Sequence, residues 1–140
     1  MNQNQYADAL RHAREAIRLQ EKEGQFHELA AAAQSRLDQP AEAIRSLNRA
    51  VALNQSYYRP YLTRGTLHLK RGNLDVAKQD LTVANKLLPT ADGTFGLGEI
   101  AQKEGDIDTA LRYYDAVARS QSPLAAEARN RIAALPQPPA

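Results

Sequence analysis

The chain contains no cysteine. That excludes a disulfide, a thiolate metal site and a cysteine nucleophile, and it leaves cytoplasm and periplasm both open, because a cysteine-free protein suits reducing and oxidising compartments alike. An excess of charge is missing too: 18 Lys and Arg face 16 Asp and Glu. No basic run interleaves with aromatics as a nucleic-acid surface requires, so no nucleic-acid partner is expected. No apolar run approaches the roughly 20 residues that cross a bilayer. The opening MNQNQYADAL lacks the basic-then-apolar pattern of a secretion signal. A soluble chain without membrane insertion is expected.

Catalytic signatures are scarce as well. There is no G-x-S-x-G and no P-loop, and Gly96-Leu97-Gly98 reads as helix packing because no strand precedes it as a phosphate loop requires. In QFHELAAAAQ, His27 and Glu28 open as the zinc-protease signature H-E-x-x-H does, but Ala31 stands where the second imidazole is needed. Neither His12 nor His68 has a partner at metal-binding spacing. No metal and no cofactor is expected, and His27 reads as a packing residue.

What is present is periodicity. With 140 residues, 43% of them apolar, the chain can build one compact core. Three stretches align at spacings of 34 and 33: PAEAIRSLNRAVAL from Pro40, LDVAKQDLTVANKL from Leu74 and IDTALRYYDAVARS from Ile107. In register, Ala43, Ala77 and Ala110 coincide, then Leu47, Leu81 and Tyr114, then Ala50, Ala84 and Val117. Small, large and small at intervals of four and three make one helix face with room for close neighbours. YADALRHAREAIRLQ from Tyr6 is a fourth copy, with Ala9 and Ala16 at the small positions. Before each later copy runs another helix, over Gln25–Leu37, Tyr58–Arg71 and Thr94–Glu104, with Ala31, Gly65 and Gly98 in register. The unit is a helical hairpin. Gly72 and Gly105 suit the left-handed residue after a helix, Asn73 and Asp106 suit the cap of the next, and Asp38, Gln39 and Pro40 stand at the first junction.

Paired helices at this period, with Gly65, Ala77, Leu81, Ala84 and Pro89 in one unit, resemble the tetratricopeptide repeat. The resemblance runs from residue 6 to about 122 and is closest over Tyr58 to Pro89. It implies an all-α, right-handed superhelical solenoid of about eight helices. The expected parts are a lone second-type helix (6–22), hairpins at 24–56, 58–90 and 91–122, a capping helix at 123–135 and a proline-rich tail at 136–140. Leu124, Ala128, Ile132 and Leu135 give that cap one apolar face. Tyr114 reads as core and its neighbour Tyr113 as surface; the pair Tyr57 and Tyr58 suggests a ligand platform. QEKEG, Gln20 to Gly24, reads as a solvated helix end.

In this family the first helices of the pairs line a concave groove that holds a protein or peptide segment. The resemblance therefore implies Glu28, Ala32 and Ser35 as groove residues in the first unit, and Arg59, Leu62, Thr63, Thr66 and Lys70 in the second. In the third it implies Phe95, Glu99, Gln102 and Lys103. The subfamily that clamps chaperone carboxylate tails is set aside, because Glu28 and Asp92 put acids where it uses bases. Three functions follow as expectations. The first is a non-catalytic module binding a protein or peptide ligand. The second is the C-terminal, substrate-presenting part of a larger bacterial protein similar to repeat-containing zinc metallopeptidases. The third is a homodimer formed through the N-terminal helix, whose Leu10, Ala13 and Ile17 are expected to lack cover because no first helix precedes them.

Overall fold

The computed structural model describes residues 2–136 as eight α-helices, with no strand among them. They are α1 (Gln3–Leu19), α2 (Gly24–Arg36), α3 (Pro40–Leu53), α4 (Tyr58–Lys70), α5 (Leu74–Leu87), α6 (Ala91–Lys103), α7 (Ile107–Ala118) and α8 (Ala125–Ala134). No helix among these residues is long and apolar enough to cross a membrane. Of the proline-rich stretch, all but Pro136 lies outside the described residues.

Three tight junctions make the hairpins. Asp38, Gly72 and Gly105 all take the left-handed backbone, at φ of 58°, 79° and 80°. After each, the next N–H reaches back to a carbonyl inside the finished helix: Gln39 to Gln34, Asn73 to His68 and Asp106 to Ala101, at 2.8 to 2.9 Å. This is the Schellman closure, and in it Asp38 does a glycine's work. Asp106 also caps α7, its Oδ1 accepting from the Thr109 N–H. Asn73 makes no such side-chain bond, so the cap expected there is absent.

The helix starts depart from the sequence reading at three main places. α1 runs Gln3–Leu19 and not 6–22, because Asn2 and Gln5 form a capping box ahead of Tyr6. α6 begins at Ala91 and not Thr94, because Thr90 Oγ1 accepts from the Gly93 N–H at 2.9 Å and caps the helix a turn early. α8 begins at Ala125 and not Pro123, because Ser122 first closes a turn onto the Leu124 and Ala125 N–H groups.

The core is a string of small clusters, as expected of a chain whose helices pack mainly on their sequence neighbours. Leu10 and Ala13 pack on Ala30 and Ala33; Ala31, Ala43 and Leu47 follow. Then come Ala77, Leu81, Leu97 and Ile100, and finally Phe95, Ala110, Tyr114, Val117, Ala128 and Leu135. Leu10 and Ala13 are thus covered by α2, and Ile17 packs half-buried on the same cluster, which corrects the expectation that all three lack cover. Tyr114 is fully buried, whereas Tyr113 is half-buried against the Leu81 cluster and is not simply surface.

Two close approaches explain the glycines in register. A Cβ on Gly65 would stand 2.8 Å from Leu81 Cδ2, and one on Gly98 would stand 2.8 Å from Tyr114 Cε1. The hairpin α4–α5 is locked further by Arg64, whose Nε and Nη2 donate to the two oxygens of Asp80 at 2.8 and 2.7 Å. Its Nη1 donates to Asn48 of α3, tying two hairpins together.

Candidate functional site

His27 is seated by the chain that precedes α2. It is buried, and its Nε2 lies 2.9 Å from the Glu21 carbonyl oxygen, so that nitrogen carries the proton and donates. The ring fastens the α1–α2 turn to the start of α2. Glu21 in turn receives Arg49 from α3 at 3.0 Å.

The concave side between α2 and α4 holds two adjoining cavities of about 640 and 590 Å³. Ala32 and Thr63 line both, so the two run into one channel. At one end stand Glu28, Tyr57 and Arg59. Tyr57 and Tyr58 meet edge to face, with ring centroids 5.5 Å apart, and the Arg59 guanidinium lies 5.6 and 5.9 Å from the two centroids. Burial holds the Glu28 carboxyl above its ordinary range, and Arg59 offsets part of that. At the other end stand Ser35, Arg36, Thr66, Lys70 and Arg71, with Asp38 on the rim. Ser35 Oγ has no hydrogen-bond partner among the described residues, while Thr66 Oγ1 donates to the Leu62 carbonyl. Lys70 and Arg71 are exposed and make no ion pair among the described residues.

Of the groove residues read from the sequence, Glu28, Ala32, Ser35, Arg59, Thr63, Thr66 and Lys70 line this channel. Leu62 packs toward the Leu81 cluster instead. The third unit is otherwise employed. Phe95 is 7% exposed, its ring 5.4 Å from that of Tyr114 and under the Arg131 guanidinium at 5.1 Å. Arg131 of α8 also pairs with Glu99 at 3.3 Å, and Gln102 accepts the Tyr114 hydroxyl at 2.7 Å. Phe95 is therefore core and not free groove, because α8 covers it. Lys103 remains exposed. The sequence reading missed Arg36 and Arg71 as lining residues, while Tyr57 of the tyrosine pair does line the channel. Both arginines lie at helix ends, and the repeat register marks only helix interiors.

Residues 95–135 match the family model of the tetratricopeptide repeat. The fold is that of a tetratricopeptide-repeat solenoid. A crystal structure of MamA superposes with a TM-score of 0.82 at 20% identity, over 91% of this chain and 74% of that one. A thermophilic repeat protein of Thermus thermophilus gives 0.74 at 22% identity, over 94% and 73%. A chain of the APC/C hetero-tetramer Cut9–Hcn1 gives 0.77 at 19% identity, over 93% of this chain and 27% of that one. No curated protein matches the sequence. The family match spans α6 to α8, so it takes in the capping helix and stops short of the unit whose residues resemble the repeat most closely.

Proposed function

We propose that this protein is a non-catalytic recruiting module that holds an extended segment of a partner protein along the channel between α2 and α4. The observation that carries the reading is the continuity of the two cavities through Ala32 and Thr63. A solenoid of this kind offers its first helices as one rigid, pre-formed surface, which lowers the entropy cost of holding a flexible peptide. The channel is lined largely by apolar groups, with an excess of basic side chains at one end and Glu28 beside Arg59 at the other. A bound segment runs with acidic side chains toward Arg36, Lys70 and Arg71, and with a basic or aromatic one toward Glu28 and Tyr57. That a chain of similar fold sits in the Cut9–Hcn1 assembly fits a partner that is protein.

The test is selection of binding peptides from a displayed random library, followed by NMR mapping on the labelled chain. The expected result is shift changes confined to α2 and α4, with binding lost on Thr63→Trp, which plugs the junction of the cavities. Selected peptides that leave those helices unperturbed, or bind Thr63→Trp equally well, would sink the reading.

A further inference from the structure

Across α2 from the channel lies a second, apolar groove of about 480 Å³, between α1 and α2. Its floor is small residues, Ala9, Ala13, Ala16 and Ala33, and its α2 wall carries Phe26 and Leu29. Leu29 is 58% exposed, which is unusual for a leucine on a helix flanked by two others. From Tyr6 to Ala16 the groove follows about 15 Å of helix, the length of three turns.

The chain itself shows what such a groove takes. α4 packs on both α5 and α6, so a helix fills the equivalent groove one repeat pair further on. There the fit is Gly65 against the bulky Leu81. In α1 the residue in register with Leu47, Leu81 and Tyr114 is Ala13. The bulk is missing from the floor, so it must come from the occupant. The rim adds a charge preference. His12 and Arg36 border the groove, and the adjoining face of α1 carries Arg11, Arg14 and Arg18. Arg11 and Arg18 are paired with Asp8 and Glu15, while Arg14 makes no ion pair among the described residues.

We infer that the α1–α2 groove docks a three-turn amphipathic helix of a partner protein, with a leucine-sized or aromatic side chain seated on Ala13 and acidic residues facing His12 and Arg14. Apolar side chains over an alanine floor supply affinity, and the basic rim sets the charge of the helix it admits. The groove adjoins the peptide channel across α2, since Leu29, Ala32 and Arg36 border both, but Thr63 belongs to the channel alone.

The probe is a fluorescein-labelled synthetic helix of three turns with a central leucine and a glutamate flank, titrated against the full chain by anisotropy. A lysine-flanked twin and a twin with central alanine serve as comparisons. The expected result is saturable binding of the glutamate peptide, at least about tenfold tighter than either twin. Ala13→Leu should weaken it by about tenfold or more, and Thr63→Trp, in the channel, should leave it unchanged. His12→Glu with Arg14→Glu changes only exposed side chains and should invert the charge preference, which keeps the test decisive if Ala13→Leu disturbs folding. Absence of saturable binding, equal binding of both charge forms, or tightening on Ala13→Leu would overturn the inference. So would a dimer in sedimentation that Ala13→Leu abolishes, since that would give the groove to a second copy.

Discussion

Among the described residues, the first and last parts of this solenoid are built from the same repeat and covered in opposite ways. At the C-terminal end, α8 lies over α6 and α7, and Phe95, Glu99 and Gln102 are engaged by α8 or by the buried Tyr114. At the N-terminal end, the face of α1 and α2 is floored with alanine and open, with Leu19 and Leu29 the most exposed large apolar residues. A residue's register in the repeat therefore does not decide between core and binding surface. Whether another helix lies over it does.

The largest effect should come from striking the closed end. Tyr114 is fully buried, and its ring meets Phe95 while its hydroxyl reaches Gln102. Tyr114→Ala should cost about 4 kcal/mol, by analogy with other buried aromatic truncations. Leu10→Ala at the other end should cost only about 2 kcal/mol, because its cluster borders an open groove into which the site relaxes more easily. Urea unfolding of both variants checks the pair, and equal losses would erase the contrast. Native-state hydrogen exchange sharpens it: α1 should open at lower free energy than α7.

Next in size is the tie that holds the middle. Arg64 and Asp80 are 19% and 10% exposed and joined by two short bonds. Asp80→Ala leaves the guanidinium without its carboxylate and should cost about 3 kcal/mol. Because Arg64 also holds Asn48, the loss should appear as an earlier, separate transition of one half. A single unchanged transition would show the halves to be coupled by other contacts.

Gly98→Ala should cost about 1 to 2 kcal/mol, although alanine is the better helix former by about 1 kcal/mol. The added methyl meets the Tyr114 ring, which Gln102 and Phe95 hold in place. Gly65→Ala should cost at least as much, since its methyl meets not only Leu81 but the Asp80 Cβ at 3.0 Å, which Arg64 holds in place. The thermal midpoints of the two variants give the order directly.

Much of this architecture was legible in the sequence, because close helix packing writes itself as alanine and glycine opposite leucine and tyrosine at a fixed period. The left-handed turns at Gly72 and Gly105 were legible for the same local reason. What was not legible depends on partners brought from afar. Nothing in TFGLGEIAQK says that Arg131, a further 32 residues on from Glu99, will cover Phe95. Nor does the pattern show that Asp80, which follows the exposed Lys78 and Gln79 on α5, is buried under Arg64. The channel was half legible: its walls follow the repeat and Tyr57 stood out as one of a pair, while Arg36 and Arg71 come from helix ends that the period does not govern.

The smallest expected effect is one of pH, and it falls on the helix between the two ends. Burial holds the His68 imidazole below its ordinary range, with Asp80 opposing and Arg64 and Arg71 reinforcing. Its Nδ1 is buried without a hydrogen-bond partner, so a proton placed there has no acceptor among the described residues. The folded state keeps the ring neutral while the unfolded chain takes up the proton first, near pH 6.5. Stability from this group is therefore intact above that pH and lost as pH falls from there through the folded-state value. His68→Gln removes the titration, so the drop in Tm between about pH 7.5 and 5.5 should be smaller in the variant than in the parent. Equal drops would mean that His68 titrates alike in both states. A larger drop in the variant would mean that Asp80, and not burial, governs the ring.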